Sequence, residues 1–443
     1  MSENESDYEI SNESPEKNQS ESQYVFNPFE DKSYIFFINP EKYLFHSFIN
    51  DEGSLGPIAT FFEIVKDKKI TDENAYTEGK DFCIKKIERP YETCSRGKRV
   101  LKLMSILSEL EHPNIVKLER IDIPDDDNYD SAYLFFENYP CNLERLICSD
   151  YDYKNNPKII PWIIYQILKG LYYLHSKGII HRNIKPANIL IDQNCHVKIC
   201  GFGKSIYESD YENTLRGEIN DFISEKIALN YQAPEALASK KKSKEDYDKK
   251  IDIWGVGVIL LELLNKKSPF FLPVKNCKLR WEAMLNGIFM KLGKPDKEIL
   301  IQFASRERLK NIMKFKNYPK MDEKQLFPDI EDKNAIDLIK KFLTINPNDR
   351  ISILKAKDHP FFDIIKDWKE KDDFIDSGKT CKFRYKDEIE KMENVNEYYN
   401  NQLDYYKKNI QNLKGTYTKL NIIYNTPNNQ YNYYERTRDT TYD

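Results

Sequence analysis

Between about Tyr43 and Tyr139 the apolar residues come in short runs separated by polar loops: Lys42–Phe48, Ile58–Val65, Phe82–Ile87 and Ala132–Phe136. Runs of this length, rich in aromatic and β-branched residues, predict strands. Arg99–Leu110 differs, because Val100, Leu103, Leu107 and Leu110 recur at intervals of three and four. That spacing places them on one face of a helix. From about Leu143 helical periodicity dominates, most clearly in Ile160–Ser176 and Ile253–Leu264. The pattern predicts an α+β chain of two lobes, the first small and β-rich, the second larger and helical.

Outside these lobes the pattern changes at both ends. Residues 1–25 open with a stretch dense in Glu, Asp and Ser, which cannot bury enough apolar surface to offset the entropy of ordering. We read it as an acidic disordered tail. Near the other end Tyr385, Ile389, Met392, Asn396, Tyr399, Leu403, Tyr406, Ile410 and Leu413 alternate at intervals of four and three. This is the seam of a heptad repeat with one Asn at an a position, and it predicts a short coiled coil over 383–413 that would form a homodimer. The competing reading is an amphipathic helix lying on the chain's own domain. Residues 414–443, rich in Tyr, Asn and Thr, read as a disordered tail.

Composition narrows the function class. A net charge of −4 over 443 residues is too balanced for a partner recognised through bulk charge, so neither nucleic acid nor a membrane surface is expected. The eight cysteines contain no C-x-x-C pair, and the longest apolar stretches, such as Val256–Leu264, fall short of the roughly 18 to 20 residues of a membrane span. An intracellular protein, cytoplasmic or nuclear, follows as the expectation. Glycine, at 15 residues, is scarce, so its placement matters more than its abundance.

The chemistry concentrates in His181-Arg182-Asn183-Ile184-Lys185-Pro186-Ala187-Asn188-Ile189-Leu190 and, a short turn later, Val197-Lys198-Ile199-Cys200-Gly201-Phe202-Gly203. Upstream stand Cys83-Ile84-Lys85 and Glu109-Leu110-Glu111-His112-Pro113-Asn114-Ile115. Downstream come Ala233-Pro234-Glu235, Asp252-Ile253-Trp254-Gly255-Val256-Gly257 and Asn346-Pro347-Asn348-Asp349-Arg350. In order and spacing these segments resemble the motifs of the eukaryotic protein kinases from about Tyr43 to Phe362. The resemblance implies a bilobed protein-kinase fold over 43–362, with an N-lobe of about 43–139 and a C-lobe of about 140–362. Lys185, two residues past Asn183, is the residue type of the Ser/Thr kinases, where it neutralises the γ-phosphate. Phe289–Asp296 and the stretch around it resemble the insert of the cyclin-dependent and MAP-kinase group, although Gln232 stands where that group has Arg.

Phosphoryl transfer in this family relies on positioning and charge stabilisation. Four of the parts depart from the family pattern. In the Gly-rich loop, Asp51-Glu52-Gly53-Ser54-Leu55-Gly56-Pro57-Ile58, the first glycine is Asp, leaving Gly53 and Gly56. The helix position that would pair with Lys85 is Leu103, and no acidic residue lies between Cys94 and Ser108. Asn183 stands at the position of the catalytic base, whose loss is typically worth about 10²- to 10⁴-fold in rate. Gly201 stands at the position of the metal-binding Asp, so of the usual metal ligands only Asn188 remains. Ala228 also replaces a Thr that would buttress Lys185.

Other family positions are kept. Leu107, Leu118, His181 and Phe202 match the stack that joins the lobes, Asp252 the residue that grips the catalytic loop, and Glu235 with Arg350 a buried ion pair. Ile58, Cys83 and Leu190 match the residues around adenine, with Phe136 behind them and the backbone of Glu137 and Tyr139 facing the ring. Lys85 and Lys185 would attract phosphates. Lys204–Leu229 mixes hydroxyl and acidic residues opposite Arg182, which reads either as a solvated mobile loop or as an acidic mimic of phosphate.

Read this way, the sequence favours a pseudokinase acting as scaffold or allosteric regulator, with ATP bound weakly or not at all and a poor Mg2+ site. Its partners would be proteins, such as an active kinase or that kinase's substrate. Two alternatives stay open: a Ser/Thr protein kinase with weak or unorthodox ATP-dependent phosphotransfer, and an assembly module working through 383–413.

Overall fold

A computed structural model describes residues 25–26, 36–37, 43–50, 55–65, 77–123, 131–209, 228–239, 249–275, 277–369, 374–385, 387–389 and 404–413. Residues 1–24 and 414–443 of the predicted tails, the first residues of the Gly-rich loop and all of 210–227 lie outside these. The N-terminal lobe is an antiparallel sheet of β1 (Tyr43–Asn50), β2 (Ile58–Val65), β3 (Thr77–Glu88), β4 (Leu118–Asp122) and β5 (Ser131–Glu137), in the order β1-β2-β3-β5-β4. β4 escapes the sequence pattern because only Leu118 and Ile121 of its five residues are apolar. β3 pairs on both sides, and the register sets Lys85 opposite Ile58 on β2 and Leu134 on β5.

Helix α1 (Cys94–Ser108) packs between the sheet and the second lobe. It starts earlier than the apolar repeat suggests because the Thr93 hydroxyl accepts from the Arg96 amide and caps the first turn. Its apolar stripe, Val100, Leu103 and Leu107, is buried. The C-terminal lobe is built on α2 (Ile159–Ser176) and α3 (Lys250–Asn265), crossed by α4 (Lys333–Phe342). Helix α3 buries residues on every side, from Ile251 through Leu263, as the interior helix of this lobe. The two-lobed α+β architecture is the one the hydrophobic pattern implies.

The coiled-coil expectation is corrected. Of the proposed seam, Ile389, Tyr406, Ile410 and Leu413 are each 3% exposed or less and belong to the same core as α1, while Met392, Asn396, Tyr399 and Leu403 lie outside the described residues. Ile389, Tyr406, Ile410 and Leu413 are covered by the chain's own domain and are not presented to a second copy. The Cys381 amide donates to the carbonyl of Lys177 at the end of α2, and Phe383 stacks on Tyr207 at 6.0 Å. Farther along, the helical turn 404–413 lies against α1, where a Cβ on Gly97 would sit 2.9 Å from the Cβ of Tyr406. The absent side chain of Gly97 is what allows this approach.

Candidate active site

The cleft between the lobes is lined by residues from four elements. Lys85 comes from β3, Asn183 and Lys185 from the loop after Ile179–Ile180, and Asn188 from the short turn that follows. Cys200 and Gly201 follow β7 (Val197–Ile199), which pairs with β6 (Ile189–Ile191). This hairpin forms because Ile189, Ile191, Val197 and Ile199 alternate with outward residues and bury one face.

Asp252 fixes the catalytic loop. One carboxylate oxygen accepts from the His181 amide at 2.9 Å and the other from the Arg182 amide at 2.7 Å, while the His175 ring lies 2.9 Å away. Burial pushes this carboxyl up, but the hydrogen bond and charge of His175 outweigh it and hold the group below its usual range. Burial pushes His181 down, so its imidazole is neutral. Its Nδ1 accepts from the Asn183 amide at 3.3 Å, which leaves Nε2–H to donate to the Cys200 carbonyl at 2.9 Å. The two chemical segments are thereby tied through one ring. The His181 ring also meets Phe202 edge-on at 4.9 Å, in a stack buried with Leu107 and Leu118.

Farther from the cleft, Arg350 and Glu235 form a bidentate pair at 2.6 and 2.9 Å with almost no exposure, as the sequence implies. The residues expected around adenine, Ile58, Cys83, Phe136, Glu137, Tyr139 and Leu190, are half-buried. Burial pushes the thiols of Cys83 and Cys200 up to about 12, so both are neutral walls. Gly56 borders β2, whereas Gly53 lies outside the described residues.

Leu103, the α1 position expected to pair with Lys85, is 5% exposed and part of the core. Lys85 has no ion pair among the described residues; burial and the neighbouring Arg99 guanidinium push its ammonium below its usual range. Arg99, one turn before Leu103, donates to the Gly203 carbonyl at 3.2 Å and holds α1 to the turn after Phe202. Lys204, in that same turn, is half-buried. Burial, then Lys185, Arg99 and Arg182, push it down to about 8. Neither Arg99 nor Lys204 stands out in the sequence, since each becomes a cleft residue only when distant segments meet.

A divalent metal fits these donors poorly. Gly201 is left-handed, φ +84, and a Cβ there would lie 2.5 Å from the Asn188 side chain, so the Asn188 amide fills the space a carboxylate would need. Asn188 Nδ2 donates to the Asn183 carbonyl at 2.8 Å, leaving one neutral oxygen. No group of three or more His, Cys, Asp or Glu suited to a metal occurs among the described residues. Mg2+ ordinarily takes one or two carboxylates besides phosphates and water.

A two-lobed domain whose catalytic loop is gripped by a buried carboxylate and whose cleft carries a β3 lysine is the architecture of a phosphotransferase. The chain belongs to the protein kinase family: the model of the protein kinase domain matches residues 71–362. It is similar to mitogen-activated protein kinase mpkA of Aspergillus fumigatus, at 32% identity over 72% of this chain and 71% of that one. It is also similar to mitogen-activated protein kinase spm1 of Cytospora mali, at 33% over 68% of each, and to mitogen-activated protein kinase homolog NTF6 of Nicotiana tabacum, at 32% over 63% of this chain and 70% of that one.

These matches overturn the expectation of a pseudokinase acting as scaffold or allosteric regulator, because relatives that align over 68–72% of this chain are named as kinases. Family membership implies ATP and Mg2+ as cofactors, so the expectation of weak or absent ATP binding has no support in them. Among the described residues no helix is long and apolar enough to cross a membrane.

Proposed function

We propose that this chain is a Ser/Thr protein kinase that moves the γ-phosphoryl group of ATP to a protein hydroxyl by an unorthodox route. The observation that carries the reading is the grip of Asp252 on the His181 and Arg182 amides, which holds Asn183 and Lys185 in a fixed loop. In this reading the domain is 43–362, hinged near Tyr139, and Ile58, Cys83 and Leu190 hold adenine. Lys85 meets the α- and β-phosphates and Lys185 the γ-phosphate.

The acceptor oxygen attacks the γ-phosphorus, the bond from that phosphorus to the β–γ bridging oxygen breaks, and ADP leaves. Asn183 orients the hydroxyl by hydrogen bonding but takes no proton, so the proton passes to an oxygen of the transferred group. The absence of a base sets turnover below that of an ordinary kinase by about 10²- to 10⁴-fold. Partners are proteins: the hydroxyl-bearing substrate, and an upstream kinase like those that act on signalling kinases.

The test is transfer of label from γ-labelled ATP to a basic acceptor protein, followed by analysis of the labelled amino acids. Label on Ser or Thr is expected. No label above that of Lys85→Ala, or label confined to Tyr, contradicts the proposal.

A further inference from the structure

The cleft is unbalanced in charge. Positions 103, 183 and 201, where the kinase pattern places carboxylates, hold Leu103, Asn183 and Gly201. The cations have stayed, and Lys204 joins them from the turn Phe202–Lys204. None of Lys85, Lys185 and Lys204 has a hydrogen bond or ion pair to an acidic group among the described residues. Lys204 is half-buried and directly follows Gly203, whose carbonyl accepts from Arg99 at 3.2 Å, and the charges of Lys185, Arg99 and Arg182 act on its ammonium.

Half-buried charges without counterions cost free energy that a bound anion returns. The cluster is therefore built to receive negative charge, and the donor set that would bring a divalent ion with that charge is lacking, with the Asn188 amide occupying the carboxylate's space. A nucleoside triphosphate without its metal carries about four negative charges and needs such cations.

We propose that Lys85, Lys185 and Lys204 form a metal-independent site for the polyphosphate of a nucleoside triphosphate, with Lys204 supplying positive charge that a divalent ion supplies in an ordinary kinase. The inference rests on the kinase reading for the identity of the ligand as a nucleotide, but binding at this site requires no turnover. The competing occupant is the chain's own acidic stretch, with Asp210, Glu212, Glu218, Asp221 and Glu225, which lies outside the described residues.

The test is calorimetric titration of the full chain with ATP and, separately, with adenosine, in EDTA and in magnesium. ATP is expected to bind in EDTA at least as tightly as in magnesium. Lys204→Gln should weaken ATP in EDTA by about tenfold or more, the scale of one charge-assisted hydrogen bond. Adenosine affinity should be unchanged by Lys204→Gln, and Lys204→Arg should retain ATP binding. An unchanged adenosine affinity also shows that the variant is folded.

ATP binding that requires magnesium overturns the proposal, as does ATP affinity in EDTA that Lys204→Gln leaves unchanged. Failure to bind ATP in EDTA by a chain in which all five acidic residues of 210–225 are neutralised also overturns it, because the competing occupant is then removed. Metal-free binding without label transfer would overturn the kinase reading alone. Label transfer with strictly magnesium-dependent binding would overturn this inference alone.

Discussion

At the residue scale the site is defined by three substitutions and by what the fold puts around them. Leu103, Asn183 and Gly201 are legible in the sequence because each sits at a fixed distance from a local motif. Their surroundings are not. Arg99 reaches the Gly203 carbonyl across 104 positions, and no local pattern announces that contact. Asn188 reads as a surviving metal ligand, yet in the fold its amide lies where a Cβ of residue 201 would go.

The carboxylates missing at 183 and 201 are therefore not equivalent to restore. Asn183→Asp exchanges an amide for a carboxyl of the same size at a half-buried position of the loop and supplies a base. Initial rates of label transfer should rise by about 10²-fold or more. Gly201→Asp alone adds a side chain at φ +84 against Asn188, so it should give no comparable gain. Equal rates for Asn183→Asp and the unchanged chain would remove the base from the account.

Glu262 on α3 makes a separate prediction about stability. It is fully buried, accepting from the Phe270 amide at 2.8 Å and the Tyr231 hydroxyl at 3.1 Å. Burial pushes its carboxyl from the ordinary 4.5 up to about 7. The folded state therefore holds a proton that the unfolded chain releases above pH 4.5. Its contribution is largest at low pH and declines as pH rises toward 7, by a total on the order of 3 kcal/mol. Denaturant melts of Glu262→Gln from pH 5 to pH 8 should show a flatter profile than the unchanged chain, and parallel profiles would contradict this.

At the element scale the main lesson is the destination of the C-terminal stripe. A heptad spacing states that one face is apolar and nothing about what covers it. Here the cover is the chain's own domain: Tyr406 against Gly97, and Ile410 and Leu413 in the shared core. The segment touches both lobes, through Lys177 and Tyr207 on one side and α1 on the other. Because α1 lacks a carboxylate to pair with Lys85, its position is held by packing and by Arg99. Ile410→Ala should cost about 2–5 kcal/mol. Hydrogen exchange should show faster opening of α1 along with 404–413, and sedimentation should give the same mass as the unchanged chain. A lower mass with unaltered α1 protection would restore the coiled-coil reading.

The strands and long helices, by contrast, could be read from local periodicity, apart from polar β4. Its two buried apolar residues, Leu118 and Ile121, are three apart across a register shift, so the strand shows no period-two alternation.

At the scale of the whole molecule, one core runs from Leu55 in the first lobe to Ile365 in the second and on to Leu413. The Arg350–Glu235 pair and the Asp252 grip hold the parts of the second lobe that shape the cleft. A fold kept in this detail, with a relative named as a kinase over 72% of this chain, is what places the phosphotransferase reading above that of an assembly module. Its departures from the family lie in charge rather than in architecture: carboxylates have gone and lysines have remained.

The central claim is that this cleft transfers phosphate. Its most direct test is the initial rate of label transfer from γ-labelled ATP to a Ser/Thr acceptor by the full chain, set beside Lys85→Ala under the same conditions. The account predicts a slow rate that exceeds the variant's and that persists with magnesium lowered by EDTA. Equal label for the two proteins, at every metal concentration, would contradict it.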